Sequence, residues 1–390
     1  MHQENWINNT LEPLKVQGLE RNLEMFPHIG GKLYLEGQPY LNFASNDYLD
    51  LVNYPLCIEA ARAALEKYGA GSAASRLVTG TLPLHNELER CLAVHKGYPA
   101  ALVFGSGYMA NAGTIPCLVD KNDVVFADRL VHASILDGII LSQAQLIRFK
   151  HNDLDHLETR LKRYETNKKK LIITESVFSM DGDLAPLSEI ATLAQTHEAM
   201  LMVDEAHASG VFGNQGCGLV RHGHLEKIVN VSMGTLSKAL GGYGGFVACS
   251  KAVKKLLTNK ARAFIYTTAP PPSSLGAALG ALDVLGKKPN VGKALLERAS
   301  IFRKQLNDAG LNTLKSESQI IPILIGDNQR AVDLSKELRA AGLLAVAIRP
   351  PTVPPGTARL RLSITRAHTP DDLNEAAKTI IRIARKNKVI

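Results

Sequence analysis

Met200-Leu201-Met202-Val203 is a short, wholly apolar run that stops at Asp204-Glu205-Ala206-His207. A run of this length, apolar at every position, suits a strand buried on both faces, the kind that parallel sheets covered by helices contain. Similar runs recur at Ala101–Phe104, Asp123–Ala127, Gln145–Phe149, Lys170–Thr174, Ile228–Met233 and Gly245–Cys249. Helix-length amphipathic segments separate several of them, at Leu84–His95, Ser134–Leu141, Asp153–Tyr164 and Leu187–His197. The alternation predicts an α/β fold with a large, mostly parallel sheet flanked by helices. Ligands bind beyond the carboxyl ends of the strands in such sheets, which makes Asp204 a candidate site residue.

Ahead of the sheet lies an arm, with a helical stretch at Asn5–Gln17 and a Gly-punctuated hairpin over Lys32–Asn42. Behind it, Pro270-Pro271-Pro272 closes the first region and a long helical stretch runs from Ser274. Strands at Gln319–Ile325, Leu343–Ile348 and Arg359–Ile364, with helices at Ala331–Ala341 and Asp371–Lys386, predict a smaller α/β C-terminal domain. A chain of 390 residues exceeds the ~250–300 residues that one core serves. The expected division is an N-terminal arm over 1–45, a large domain over 46–275 and a small domain over 276–390.

The excess of 45 basic over 37 acidic residues gives +8, which favours anionic partners without naming one. Lys168-Lys169-Lys170 precedes an apolar strand and lacks interleaved aromatics, so no nucleic-acid surface is expected. Met1 to Trp6 has no apolar run behind it, and no stretch is long and apolar enough to span a bilayer; a cytoplasmic protein is expected. Cys57, Cys91, Cys117, Cys217 and Cys249 are odd in number and widely spaced, which suggests neither a disulfide framework nor a metal site.

Two further segments carry chemistry. Gly234-Thr235-Leu236-Ser237-Lys238 follows a strand and runs into the glycine-rich stretch Gly241-Gly242-Tyr243-Gly244-Gly245. A lysine held where backbone approaches a ligand closely can form a Schiff base, and the hydroxyls of Thr235 and Ser237 can take a phosphate. Phe104-Gly105-Ser106-Gly107-Tyr108-Met109-Ala110 is a strand end entering a helix, where backbone N–H groups form an anion site. It also fits the dinucleotide fingerprint, so a nicotinamide oxidoreductase is a rival that leaves Lys238 unexplained. Each feature has an ordinary alternative: Asp204 as a helix cap, His207 as a surface histidine, the glycine stretch as a mobile loop. Lysine, acid and histidine together favour a cofactor.

Asp204-Glu205-Ala206-His207, Gly234 to Lys238, and Arg349-Pro350-Pro351-Thr352-Val353-Pro354-Pro355-Gly356-Thr357-Ala358-Arg359-Leu360-Arg361 resemble the α-oxoamine synthase family of fold-type-I pyridoxal-phosphate transferases. The similarity runs from Arg21 through Ser45-Asn46-Asp47-Tyr48-Leu49 to Ala367-His368. It implies pyridoxal 5'-phosphate as cofactor, no metal, and a homodimer with shared active sites. The final run is most similar to members that join L-alanine to a pimeloyl thioester, carried by coenzyme A or an acyl carrier protein, in biotin synthesis. Thr235 to Gly241 is also similar to the lysine loop of glycine C-acetyltransferases. A non-catalytic family subunit is a further alternative, but such subunits tend to lack the lysine.

Residue by residue, the resemblance makes Lys238 the Schiff-base lysine and Asp204 the partner of the pyridine nitrogen. His207 contacts the ring oxygen, and His132 in Val131-His132-Ala133-Ser134 stacks on the ring. Ser179 is a further cofactor contact, and Gly107, Tyr108 and Thr235 hold the phosphate. Thr267 contacts the phosphate of the partner subunit's site. Arg361 clamps the amino-acid carboxylate, Arg21 and Thr352 meet the acyl substrate, and Asn46 is a polar neighbour.

Overall fold

The computed structural model describes residues 4–17, 19–21, 23–26, 30–35, 37–164 and 168–390; Glu36, inside the expected hairpin, and Met1 to Gln3 lie outside the described residues. The chain forms two compact units, the larger made of Asn46–Ser179 and Asp183–Leu296, the smaller of Met1–Ser45, Met180–Gly182 and Glu297–Ile390.

The larger unit is built on a seven-stranded sheet in the order Ala100–Phe104, Gly245–Cys249, Val231–Thr235, Met200–Asp204, Lys170–Glu175, Val124–Asp128, Gln145–Phe149. Strand Gly245–Cys249 runs antiparallel to both its neighbours, while the pairings from Val231–Thr235 to Gln145–Phe149 are parallel. All residues of Val124–Asp128 and Lys170–Glu175 are buried, which is why Val124–Ala127 and Leu171–Ile173 are apolar at every position rather than alternating. On one face Ile115, Ile135 and Ile139 from two helices pack against Val125, Leu171, Ile173, Met202 and Val231. Each such side chain contributes roughly 1.5–3 kcal/mol relative to exposure.

Strand Val231–Thr235 begins later than the apolar run Ile228–Met233 suggests, because Ile228 and Val229 both donate backbone bonds back to Leu225 O in a turn. The displaced strand therefore carries Thr235 as its last residue. Helix Pro272–Lys287 belongs to the larger unit, where it packs against Pro55–Tyr68. Gly276 and Gly280, one turn apart, permit the close approach: a Cβ on Gly276 would collide with Ala60 O, and one on Gly280 would lie 2.9 Å from Leu56 O. The expected division at 275/276 falls inside this helix.

The smaller unit holds two three-stranded sheets. One pairs Lys32–Leu35, Gln38–Asn42 and Leu343–Leu344; the other pairs Ile320–Gly326, Ala358–Ser363 and Val346–Ile348. The expected single strand Leu343–Ile348 is thus broken at Ala345, each half serving a different sheet. Helix Pro370–Lys386 is closed at its start by a capping box between Thr369 and Asp372, and its Leu373, Ala377, Ile380 and Ala384 face inward. Among the described residues no helix is long and apolar enough to cross a membrane.

Candidate active site

Parallel strands Lys170–Glu175 and Met200–Asp204 both end on a carboxylate. Asp204 is buried, and its two oxygens take different donors: Asn111 Nδ2 to Oδ2 at 2.9 Å, and the Ala206 N–H to Oδ1 at 2.9 Å. Asn111 comes from helix Gly107–Leu118, and its amide also reaches Ser134 Oγ at 2.9 Å. Ser134 Oγ lies 2.8 Å from His132 Nδ1. The backbone N–H of His132 donates to Glu175 Oε1 at 2.6 Å, so the loop entering helix Ala133–Ser142 is tied to the sheet from both ends. Desolvation lowers the His132 pKa, opposed by the Asp204 carboxylate and reinforced by the Lys238 ammonium. Burial and the neighbouring Asp204 push the Glu175 carboxyl well above its ordinary range.

Lys238 sits in a tight loop after strand Val231–Thr235, closed by Leu236 N–H to Gly244 O at 2.9 Å and Gly242 N–H to Leu236 O at 2.8 Å. Gly241 and Gly244, at φ 61° and 130°, supply the left-handed backbone that this loop requires. The Lys238 amine is 2.7 Å from His207 Nε2. On the other side of the ring, Nδ1 is 2.6 Å from the Tyr48 hydroxyl, which donates to Asn46 Oδ1 at 3.1 Å. A hydroxyl has one proton; once it goes to Asn46, Tyr48 can only accept from Nδ1–H, which leaves Nε2 as the acceptor facing the amine. Asn46, Tyr48, His207 and Lys238 thus form one polarised chain within the larger unit.

The start of helix Gly107–Leu118 lies beside the end of strand Val231–Thr235: a Cβ on Gly107 would lie 3.6 Å from Thr235 Cβ. Ser106 caps the helix by accepting from Met109 N–H at 3.1 Å. The first-turn N–H groups of Gly107 and Tyr108 have no intrahelical partner, and the Thr235 and Ser237 hydroxyls, 2.7 Å apart, stand next to them. A larger residue at Gly107 would fill this cradle. An anion cradle, an amine, an imidazole chain and a doubly supported carboxylate within one unit fit the donors that pyridoxal 5'-phosphate requires. The dinucleotide alternative does not fit. Its fingerprint would follow an edge strand paired antiparallel with Gly245–Cys249, whereas a dinucleotide site follows an inner parallel strand.

Of the other expected residues, Ser179 is half-buried at the end of the larger unit's segment Asn46–Ser179. The exposed Tyr108 donates its hydroxyl to Asp137 Oδ2 at 2.6 Å. Thr267 Oγ1 donates to the adjacent Thr268 O at 3.4 Å, beside the exposed Tyr266. Arg21, Thr352 and Arg361 belong to the smaller unit. There Arg21 and Thr352 line one cavity of about 260 Å3 with Leu19, Ile348, Arg349 and Pro350. Arg361 is buried in strand Ala358–Ser363, with Nη1 donating to Ser363 Oγ at 2.9 Å.

Asn111, Ser134, Tyr48 and Glu175 complete the site without having been singled out from the sequence. Glu175 carried a legible signal, an acid ending an apolar run as Asp204 does. The other three are common residues whose roles arise only from packing.

A family model described as Aminotransferase class I and II matches residues 38–380. The chain is 45% identical over 389 residues to a Geobacter sulfurreducens protein named 8-amino-7-oxononanoate synthase, covering 98% of this chain and 99% of that one. Among solved structures, a variant serine palmitoyltransferase from S. paucimobilis with bound PLP and myriocin is 31% identical with a TM-score of 0.93, covering 100% of this chain and 99% of that one. An 8-amino-7-oxononanoate synthase from Francisella tularensis is 32% identical with a TM-score of 0.78, covering 90% of this chain and 99% of that one.

Proposed function

The chain belongs to the class I and II aminotransferase family and is a pyridoxal-phosphate-dependent acyltransferase; from that premise we propose that it condenses L-alanine with a pimeloyl thioester, releasing carbon dioxide and the free thiol to give 8-amino-7-oxononanoate. The observation that carries the chemistry is the Lys238 amine at 2.7 Å from His207 Nε2, one turn from the supported carboxylate of Asp204. The choice of substrates draws support from the names of the relatives and from the cavity of the smaller unit. Its Arg21, Arg349 and Thr352 suit an acyl group that carries negative charge.

When bound, pyridoxal 5'-phosphate supplies the electron sink for bond making and breaking at the amino-acid Cα. Gly107, Tyr108, Thr235 and Ser237 would hold its phosphate, Asp204 its ring nitrogen, and His207 would accept from its ring hydroxyl. The Lys238 amine takes the proton from the substrate Cα as general base and later returns one to the product. The chain Asn46–Tyr48–His207 keeps that amine pointed by fixing which nitrogen of His207 accepts from it. His132 is oriented by Ser134 at Nδ1 and by Glu175 at its backbone, and would cover the reacting carbon. Arg361 offers a planar pair of N–H donors to the substrate carboxylate, which it holds until that group leaves as carbon dioxide.

The test is product identification by mass spectrometry after incubating the purified holoenzyme with alanine, glycine or serine, each against pimeloyl-, acetyl-, succinyl- and palmitoyl-CoA and pimeloyl-acyl carrier protein. Alanine with a pimeloyl donor should give the fastest turnover and one carbon dioxide per product. A preference for glycine with acetyl-CoA would reassign the substrates to those of a glycine C-acetyltransferase.

A further inference from the structure

Glu205 follows the acid assigned to the cofactor's ring nitrogen and precedes His207 by two residues, yet it points away from both into the protein. Its carboxylate and the Lys96 ammonium form an ion pair in which both side chains are fully inaccessible to solvent. The remaining acceptor positions are used as well: Ser232 Oγ donates to Oε2 at 2.8 Å, and the Val220 N–H to Oε1 at 2.9 Å. Lys96 also reaches Ser209 Oγ at 3.3 Å. Gly218, at φ 93°, passes so close that a Cβ would lie 2.6 Å from Glu205 Oε1. Four segments therefore converge on one ion pair: the end of helix Pro83–Lys96, strand Val231–Thr235 and helix Leu219–His222 on the carboxylate, and the Ser209 turn on the ammonium.

An ion pair taken wholly out of water is poor value for stability, because the desolvation of two charges offsets their attraction, and well-packed apolar residues serve as well or better. What such a pair does supply is one geometry, since a buried carboxylate with three donors cannot shift without leaving one of them unpaired. The peptide so fixed is the one that carries Asp204 on one side and His207 on the other. The Glu205 N–H itself bonds Met233 O at 2.8 Å, and Ala208 and Ser209 bond back to Glu205 O at 3.0 and 2.8 Å.

We propose that Glu205, clamped by Lys96, is a positioning residue that sets the aim of Asp204 and His207 toward the cofactor. Burial holds nearby His95 at about 4 and so neutral, and raises the Tyr98 hydroxyl and the Cys217 thiol. Arg221 is a fixed cation beside the same cluster.

The experiment is a pH titration of the visible absorption band of bound pyridoxal phosphate in the holoenzyme, with thermal unfolding and the kcat and KM for the amino acid measured alongside. The band needs no acyl substrate, so the outcome does not depend on which thioester the enzyme uses. In the double variant Lys96→Met, Glu205→Gln the charges are removed together and the volumes nearly kept. It should fold with a Tm close to wild type and retain cofactor. The midpoint of its band titration should move by about half a unit or more, and kcat should fall roughly tenfold with KM little changed, the scale seen when an outer partner of a site residue is removed. A wild-type midpoint together with wild-type kcat overturns the proposal and leaves the pair a packing feature. If the double variant does not fold, Ser232→Ala removes one bond to Glu205 with every charge kept and must itself move the midpoint; an unmoved midpoint there is equally fatal.

Discussion

Glu175 and Asp204 are register partners on adjacent parallel strands, so two carboxyl groups leave the same edge of the sheet side by side. Burial and Asp204 raise the Glu175 pKa, so the folded chain holds a proton there that the unfolded chain gives up at lower pH. Stability from this group is therefore complete below the unfolded pKa of about 4.3 and declines as pH rises toward the raised folded value. Glu175→Gln removes the proton equilibrium while keeping an acceptor for the His132 N–H. The variant should match wild type in thermal unfolding at pH 5 and exceed it at pH 8 to 9. Parallel melting curves across this range would show that Glu175 ionises freely.

Asp204 has the opposite duty, a charge kept at the ring nitrogen. Asp204→Asn should fold, because its carbonyl oxygen can still accept from the Ala206 N–H, while the Asn111 amide can turn to accept from the new NH2. Turnover should drop by roughly a hundredfold or more, the scale for losing one preorganised electrostatic partner. Steady-state kinetics with thermal unfolding separate the two effects, and undiminished turnover would remove Asp204 from the site.

His151 gives a second pH signature, of the same sign. Nδ1 lies 3.0 Å from Asp128 Oδ1 and Nε2 2.7 Å from Asp183 Oδ2; a carboxylate only accepts, so the ring must carry both protons. Burial disfavours the charge, but the bonds to Asp128 and Asp183 outweigh it and raise the pKa to about 9. The stabilisation is present in full below the ordinary value of 6.5 and is lost as pH climbs through about 9. His151→Gln should cost on the order of 2 kcal/mol near pH 6, after allowing for partial exposure, and nearly nothing at pH 10. Urea unfolding at the two pH values checks this, and an equal loss at both would mean packing rather than charge.

Thr267, which has the adjacent Thr268 O as its hydroxyl partner, is proposed to serve the phosphate of a second copy's site. Lys238→Ala and Thr267→Asp should each be nearly inactive as homodimers. Unfolded and refolded together, half of the dimers are mixed, and one site in each mixed dimer carries neither change, so about a quarter of all sites recover. With mixed dimers confirmed by mass spectrometry, absence of recovery would place Thr267 in its own chain's site.

The parts of this fold that were legible in the sequence are those where local pattern and burial coincide. Val124–Ala127 and Leu201–Val203 are apolar because both faces are covered, and nothing distant was needed to see them. Leu343–Ile348 was misjudged as one strand because its break at Ala345 depends on two sheets far away in sequence, with partners at Leu41 and Arg361. The site divides in the same way. Lys238, Asp204 and His207 stand in short runs with their chemistry on display. Asn111, Ser134 and Tyr48 acquire theirs through a register and a helix face that no local window contains.

The reversed strand Gly245–Cys249 has a consequence in time. Strand Ala100–Phe104 pairs with it alone and cannot join the sheet without it, although most of the larger unit's sequence lies between the two. During synthesis the parallel strands can assemble in order as they emerge, while Ala100–Phe104 has no strand to pair with until Cys249 has cleared the ribosome. Thr235 and Lys238 emerge shortly before Cys249, so a newly made chain cannot complete the anion cradle and the amine beside it until most of the larger unit exists.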